Sequence, residues 1–291
     1  MLPNTTASVP SAPVRIAIAA NRASGGGLDL GPLRDVMPDA EIFDIVEADR
    51  LVAYAPERLV VAGGDGSIGA FAELAGWLGV PLAVVPTGTA NDFASTHALP
   101  EDLREAAELA ATGTHTRALE LGHLADGEPF VNVASAGLAS VAARRAQPFK
   151  HRLGPLAYAV GAVRAAATAH PLEVTVRADG EEVFSGACWQ AIVAVSGAFG
   201  GGSGVAEADP RDGALDAVVL PAGSRAGLAR RAWGLRTQTI AQQRGVEHAR
   251  GTVIEVELPP GAELNVDGEL RRGGLERVTV RAAAFSLVVR P

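Results

Sequence analysis

Residues Leu59 to Phe93 read LVVAGGDGSIGAFAELAGWLGVPLAVVPTGTANDF, and this stretch decides the fold. It contains two short apolar runs, Leu59 to Ala62 and Pro81 to Val85, and each ends in a turn rich in glycine and small polar residues. Such runs predict buried parallel strands. Apolar residues at helical spacing over Ile68 to Leu78 predict a crossover helix between them. The stretch therefore predicts one βαβ unit with a special loop at the end of each strand.

The first loop, Gly63-Gly64-Asp65-Gly66-Ser67, lies where strand gives way to helix. Its glycines let the backbone approach a ligand closely, and the N–H groups of the helix start favour an anion such as phosphate. Asp65 would repel that anion, unless a divalent cation bridges the two or Asp65 orients loop N–H groups instead. A plain glycine-rich hairpin is the alternative interpretation.

The second loop, Pro86 to Phe93, also ends a strand and opens a helix. Four of its side chains can cap a helix or contact phosphate, namely Thr87, Thr89, Asn91 and Asp92. In an open α/β sheet, ligands bind outside the carboxyl ends of the strands, where both loops lie. An ordinary helix cap is the alternative, but the two loops together predict a nucleotide site.

Composition indicates a globular protein, because 48% of the 291 residues are hydrophobic. The net charge of −8 argues against a nucleic-acid partner. No Lys/Arg cluster resembles a polybasic membrane anchor, although one of the pairs Arg144-Arg145, Arg230-Arg231 and Arg271-Arg272 could face lipid headgroups. Cys188 is the single cysteine, which fits a reducing cytosol and a packing role. Residues 1–12 predict a flexible tail rather than a signal peptide.

The remaining pattern predicts two domains. A first strand, Val14 to Ala20, ends in a third glycine-rich loop that begins at Asn21 and includes Ser24, with a plain turn as the alternative. Around Thr116 to Gly122 the sequence changes from alternating strand and helix to strand-rich. We therefore predict an α/β domain over residues 13–121 and a β-rich domain over residues 122–291.

Further elements follow from the local patterns. The strongest is a hairpin through Asp179-Gly180. The other predicted strands are Glu41 to Val46, Phe130 to Gly137, Leu172 to Val176, Glu182 to Val195, Ala214 to Leu220, Thr252 to Leu258, Val278 to Val280 and Phe285 to Val289. The other predicted helices are Ala48 to Ala55, Pro100 to Ala111, Leu156 to Ala169 and Ser224 to Thr239.

The pairing of GGDGS at residues 63–67 with PTGTANDFA at residues 86–94 resembles the diacylglycerol kinase catalytic-domain family, in particular the soluble bacterial lipid kinases related to sphingosine and ceramide kinases. The resemblance implies an N-terminal Rossmann-like α/β domain with a GGDG nucleotide loop, a C-terminal β-sandwich-type domain, and a cleft between them. It implies a cytoplasmic, ATP- and Mg²⁺-dependent lipid kinase that touches the membrane transiently and phosphorylates a lipid hydroxyl, most simply turning diacylglycerol into phosphatidic acid. The implied nucleotide contacts are Asn21, Ser24, Gly63, Gly64, Asp65, Gly66, Ser67, Ile68, Gly69, Thr87, Gly88, Thr89, Asn91 and Asp92.

Two further motifs gain roles from the same resemblance. Asn265 to Glu269 reads locally as a strand and a D-G turn, and the family's DGE motif makes Asp267 the general base for the lipid hydroxyl. Asp65 is the implied metal-binding carboxylate, with Asp92 as an optional helper. Gly200 to Asp216 resembles a structural Mg²⁺ segment, with Asp212 as the anchor and Asp209 and Ala214 as carbonyl donors. A plain turn at Asp212-Gly213 is the alternative.

Four positions depart from the family pattern, namely Arg22, Val46, Ala139 and Ala206. They leave open a non-catalytic nucleotide or lipid sensor with the same fold. NAD kinases share a GGDG-type loop and are a second enzyme alternative, although no Asn-Glu pair follows the loop at a suitable distance. The sequence does not identify the acceptor lipid, and it leaves a homodimer open.

Overall fold

The computed structural model describes residues 14–21, 29–146, 168, 170–198, 203–205 and 207–291. Four parallel strands form its N-terminal sheet in the order β2-β1-β3-β4. They are β1 (Ile16–Ala20), β2 (Glu41–Asp44), β3 (Arg58–Gly63) and β4 (Leu82–Pro86). Every residue of β4 is buried, as expected of a parallel strand covered on both faces.

Helices cover both faces of this sheet. They are α1 (Gly31–Val36), α2 (Ala48–Tyr54), α3 (Asp65–Leu78), α4 (Asp92–Thr96) and α5 (Leu103–Thr112). Apolar side chains of α1 and α5 pack on one face, and those of α2 and α3 pack on the other. Helix α3 ends at Gly79, whose φ of +68° forms a left-handed cap. The predicted βαβ unit is confirmed, and the ends of β1, β3 and β4 share one edge.

The C-terminal part is a β-sandwich-like domain of mainly antiparallel strands. Its strands are β5 (His115–His123), β6 (Pro129–Phe130), β7 (Val133–Gly137), β8 (Leu172–Ala178), β9 (Glu181–Ala194), β10 (Leu215–Pro221), β11 (Glu247–Gly251), β12 (Val253–Glu257), β13 (Glu263–Val266), β14 (Glu269–Arg272) and β15 (Val278–Val289). Helices α6 (Leu138–Ala146) and α7 (Arg225–Arg236) accompany them.

Two hairpins in this domain have the same turn. Asp179 and Gly180 have φ values of +48° and +86°, and Asp267 and Gly268 have φ values of +46° and +88°. Positive φ at both central residues is typical of the type I′ turn, which matches the twist of the flanking strands. Both D-G turns predicted from the sequence are therefore confirmed.

The last strand, β15, joins the two parts of the molecule. It pairs antiparallel with β5 and, at Leu287, parallel with Leu82 of β4. The two short strands predicted here are one strand with a register shift between Arg281 and Phe285. The domain boundary at residue 121 stays a prediction, and strand β5 runs through that position.

Three sequence predictions concern the rest of the chain. The flexible tail over residues 1–12 and nearly all of the helix Leu156 to Ala169 lie outside the described residues. Cys188 is fully buried, and burial raises the pKa of its thiol to about 12, as expected for packing rather than reactivity. No helix in the described part of the chain is long and apolar enough to cross a membrane.

Candidate active site

The two glycine-rich loops touch at the carboxyl edge of the parallel sheet. The Thr87 N–H donates to the Gly63 carbonyl at 3.0 Å. A Cβ atom added to Gly88 would lie 2.8 Å from the Gly64 Cα, so the two backbones leave no room for a side chain. The Asn21 N–H donates to the Ala62 carbonyl at 3.2 Å, which places the end of β1 beside them. Three chain segments predicted to contact nucleotide therefore meet at one edge.

Asp65 links the first loop to the second. One of its carboxylate oxygens accepts the Phe93 N–H at 2.9 Å, and the other accepts the Asp92 N–H at 3.1 Å. Asp65 thus satisfies two donors in the first turn of α4. The loop is further fixed by Asn91, whose Oδ1 accepts the Gly88 N–H at 2.8 Å. Of the two roles considered for Asp65, the orientation of loop N–H groups is present in the structure.

Asp267 reaches this edge from the C-terminal domain. Its Oδ2 accepts the Val131 N–H at 2.8 Å, and its Oδ1 accepts the N–H groups of Asn132 and Val133 at 2.9 and 3.1 Å. Burial raises the pKa of this carboxyl to about 7; the three N–H bonds oppose the rise, and the negative charge of Asp65 adds to it. The two carboxylates predicted to be catalytic are therefore neighbours that interact electrostatically.

Asn132 connects these two carboxylates and was not identified from the sequence. Its backbone N–H binds Asp267, and its Nδ2 lies 3.5 Å from the Asp65 Oδ1. Its own Oδ1 accepts the Ser196 hydroxyl at 2.9 Å. The sequence shows this residue only as a carboxamide side chain within the run FVNVASAG. The local pattern cannot distinguish such a side chain from a core residue whose hydrogen bonds serve packing alone.

The remaining predicted nucleotide contacts differ in their exposure. Ile68 is buried in the core, and a Cβ on Gly69 would lie 2.7 Å from the Pro129 carbonyl, so both residues pack against other elements. Thr89 is exposed, whereas the Thr87 hydroxyl is buried without a partner among the described residues. Ser24 lies outside the described residues. The assignment of all these residues stays a prediction.

The DGE turn packs directly on the glycine loop. A Cβ atom on Gly66 would lie 2.3 Å from a carboxylate oxygen of Glu269, so any larger residue at position 66 would have to displace this side chain. Gly66 belongs to the first turn of α3 and Glu269 begins β14. This contact joins the two parts of the site.

A second group of carboxylates surrounds the predicted Mg²⁺ segment. Asp212 accepts the Ala214 N–H at 3.0 Å and forms an ion pair with Arg250. The Asp209 carboxylate binds Arg211 through two hydrogen bonds of 2.7 and 2.8 Å. The Asp209 carbonyl, one of the predicted donors, already accepts the N–H groups of Arg211 and Asp212 at 2.7 and 3.3 Å.

Glu120 completes this group, and sequence reasoning missed it. It is 2% exposed; its Oε2 accepts the Gly213 N–H at 2.7 Å, whereas its Oε1 is buried without a partner among the described residues. Burial raises the pKa of Glu120 to about 7; the Gly213 bond opposes the rise, and Asp212 and Asp209 add to it. An unpartnered buried carboxylate beside two more fits a hard cation. No three such side chains in the described ranges form a complete metal-ligand set, so carbonyl oxygens would have to contribute.

The two groups lie at opposite ends of α4. Asp65 caps its first turn, and His97 follows its last residue. Burial lowers the pKa of His97 to about 4, with Arg117 and Arg211 adding to the effect and Asp209 opposing it. The charges of Arg211 and Asp209, next to Glu120, therefore act on the C-terminal end of α4.

Two of the four residues that depart from the family pattern, Val46 and Ala139, lie in the described part of the chain, and neither takes part in the site contacts given above. Val46 is 83% exposed, and the Ala139 N–H donates to the Gln190 side chain at 2.8 Å. Arg22 and Ala206 lie outside the described residues.

Comparisons with known proteins agree with this architecture. Residues 20–124 match the family model of the diacylglycerol kinase catalytic domain, and residues 132–289 match that of the YegS C-terminal NAD kinase beta sandwich-like domain. A Pseudomonas aeruginosa protein named "Probable lipid kinase YegS-like" is 32% identical, over 94% of this chain and 88% of its own. A Bacillus subtilis diacylglycerol kinase is 30% identical, over 73% of this chain and 71% of its own.

A crystal structure of a diacylglycerol kinase from Bacillus anthracis has the same fold, with a TM-score of 0.74, 21% identity, and coverage of 95% of this chain and 97% of that one. The first family match contains both glycine-rich loops, and the second contains the Asp267 turn. The contact between the loops and this turn therefore joins the two matched regions. The predicted family and fold are confirmed. The chain belongs to the family of diacylglycerol kinase and YegS-like lipid kinases.

Proposed function

We propose that this protein is an ATP-dependent lipid kinase that transfers the γ-phosphate of ATP to a lipid hydroxyl. Diacylglycerol is the simplest acceptor, and phosphatidic acid is then the product. One observation carries the proposal: Asp267 of the C-terminal domain is held beside Asp65 of the glycine loop, with its pKa raised to about 7. A base with a pKa near ambient pH, next to a phosphate-binding loop, suits phosphoryl transfer to a hydroxyl.

The glycine loops are proposed to bind the phosphates of ATP. The first turn of α3 and the backbone between Gly63 and Ser67 supply N–H donors at the carboxyl edge of the sheet. The Asp65 carboxylate accepts two backbone N–H groups and, at 3.5 Å, the Asn132 amide. Because a carboxylate has about four acceptor positions, Asp65 retains capacity for Mg²⁺, with Asp92 beside it. Mg²⁺ bound there would neutralise phosphate charge.

Asp267 is the proposed general base. Three of its acceptor positions bind N–H groups, which leaves about one for the proton of the acceptor hydroxyl. As that proton moves to Asp267, the hydroxyl oxygen bonds to the γ-phosphorus and the bond from this phosphorus to the β,γ-bridging oxygen breaks. Asn132 contacts both Asp267 and Asp65, and so keeps the two carboxylates close to each other.

The second carboxylate group is proposed to hold a structural Mg²⁺. Asp212 and the unpartnered oxygen of Glu120 would be its side-chain ligands, with the Asp209 and Ala214 carbonyls as further donors. A cation there would neutralise the negative charges that Asp212 and Asp209 place beside the buried Glu120.

The test is transfer of labelled γ-phosphate from ATP to diacylglycerol, a sphingoid base, ceramide and a glycolipid in mixed micelles with Mg²⁺. We expect one labelled lipid with the wild-type protein and none with Asp65→Asn or Asp267→Asn. Because Asp267 accepts three backbone N–H groups, the melting temperature of each variant must be measured alongside. Normal turnover by a folded variant would remove that residue from the mechanism. Tight ATP binding without any labelled lipid would favour a sensor.

A further inference from the structure

Helix α7 has an unusual charge for this protein. Its 12 residues, RAGLARRAWGLR, include four arginines and no acidic residue, although the whole chain has a net charge of −8. The arginines are Arg225, Arg230, Arg231 and Arg236. A local positive surface on an acidic protein marks the side that an anionic partner can approach.

One side of α7 is fixed to the β-sheet. Leu228 is buried and Leu235 half-buried, in a core shared with Trp189 and Ile240. Arg231 donates to the Gly245 carbonyl at 2.9 Å. These contacts hold the helix in one orientation, so its outer face is a fixed surface.

The outer face combines cations with an aromatic ring. Arg230, Trp233 and Arg236 follow one another at three-residue steps, which makes them neighbours on the helix surface. All three are exposed, and Trp233 retains 69% of its accessible surface. Arg230 forms no salt bridge with the described residues. We call these three residues the α7 outer face.

We propose that the α7 outer face docks the protein on a bilayer surface that contains anionic phospholipid. Arginine binds phosphate through two parallel hydrogen bonds, and tryptophan prefers the headgroup level, where its ring is apolar on one side and wet on the other. The proposal rests on the proposed function, because a kinase for a lipid must reach a membrane. Its test nevertheless requires neither ATP nor an acceptor lipid.

Charge favours a membrane over a second copy of the chain. A twofold contact through the α7 outer face would place Arg230 and Arg236 of one copy near those of the other, and like charges in an interface are repulsive. Anionic headgroups are complementary to the same arginines. Because the protein as a whole is acidic, the membrane would also repel its other faces and orient α7 towards the surface.

Sedimentation with vesicles tests the proposal. The full chain, without ATP, is mixed with phosphatidylcholine vesicles that contain or lack phosphatidylglycerol. We expect binding to the anionic vesicles only. The double variant Arg230→Glu/Arg236→Glu should bind at least about tenfold more weakly, because two attractions become repulsions. Trp233→Ala should also weaken binding and should abolish the blue shift of tryptophan fluorescence on vesicle addition.

Two controls place single substitutions of the same kinds elsewhere in the protein. Arg34→Glu, on the exposed side of α1, alters the net charge without touching α7, and Trp77→Ala removes a ring that is 72% exposed on α3. Both should bind vesicles like the wild type. Equal losses in the controls, or unchanged binding of the α7 variants, would overturn the proposal. So would a wild-type dimer in gel filtration that Trp233→Ala dissolves.

The two proposals fail in different ways. A wild-type protein that binds anionic vesicles through α7 but phosphorylates no lipid in mixed micelles contradicts the kinase proposal alone. A wild-type protein that phosphorylates lipid in micelles while the α7 variants still bind vesicles normally contradicts the docking proposal alone.

Discussion

At the scale of single residues, two buried carboxylates govern how the site responds to pH. Asp267 and Glu120 both have a pKa raised to about 7, chiefly because burial disfavours their charged forms. Their surroundings differ. Asp267 has three backbone donors, whereas one oxygen of Glu120 has no partner among the described residues. The first arrangement suits a base, and the second suits a cation ligand.

Turnover should fall as the pH is lowered through about 7, because the proposed base, Asp267, must be deprotonated to accept the hydroxyl proton. The measurement is kcat for the phosphorylated lipid across this range at saturating ATP. ATP affinity at each pH is the control, since protonation of ATP changes binding rather than the base. A turnover that stays constant from about pH 6 to about pH 8 would exclude Asp267 as the base.

Glu120→Gln should stabilise the metal-free protein above neutral pH. The raised pKa means that the folded state binds more protons than the unfolded state between the ordinary value, 4.5, and about 7, so the free energy of unfolding falls as pH rises through this window. Glutamine removes the buried charge and should flatten this dependence. Urea unfolding in EDTA at several pH values measures it, with exposed Glu101→Gln as the control.

The same variant tests the proposed cation site. Added Mg²⁺ should raise the melting temperature of the wild type at about pH 8 and leave that of Glu120→Gln unchanged. An equal effect of Mg²⁺ on both proteins would place the cation elsewhere.

At the scale of elements, the close contact between the two glycine-rich loops constrains the site. Replacing Gly88 by alanine would place a Cβ 2.8 Å from both the Gly64 Cα and the Asn91 Oδ1. The loops would have to separate, so we expect a loss of stability of about 1–3 kcal/mol and weaker ATP binding. Chemical denaturation and calorimetric titration measure the two effects.

Gly223→Ala is the matched control, because nothing lies within 4 Å of a Cβ added there. It should leave both quantities within experimental error of the wild type. A Gly88→Ala protein that also behaves like the wild type would show that the loops can separate freely.

Local pattern predicted most elements but not all functional side chains. The loops over residues 63–67 and 86–93 were recognisable because glycine and capping residues have strong positional preferences. Glu120 and Asn132 were not, because each is a buried polar residue, Glu120 within β5 and Asn132 just before β7, whose partners come from distant parts of the chain. The α7 outer face was hidden because Arg230 and Arg236 are six residues apart in the sequence, and only helical spacing aligns them with Trp233.

At the scale of the whole molecule, the final strand makes the N-terminal sheet dependent on the C-terminus. Phe285, Leu287 and Val289 of β15 fill the same core as α3, and Leu287 pairs with Leu82. The predicted domain boundary at residue 121 rests on the local sequence pattern. Such a pattern cannot reveal that β15 pairs with β4, because the two strands are far apart in the sequence.

A fragment of residues 13–121 should therefore lack a cooperative thermal transition, because it leaves this core open along β4 and α3. Circular dichroism during heating measures the transition, and dye binding reports exposed apolar surface. Restoration of the transition by a fragment of residues 122–291 would confirm the reason. A sharp transition of the first fragment alone would contradict it.

The way in which Asp267 is held has a consequence for how this enzyme can evolve. Its carboxylate is positioned by main-chain N–H groups of residues 131–133, which every amino acid except proline provides. Substitutions of the buried Val131 and Val133 that keep the core packed would therefore leave these N–H donors to Asp267 in place. Under the proposed function, side chains around the site can change and alter acceptor specificity while the main chain keeps Asp267 in position.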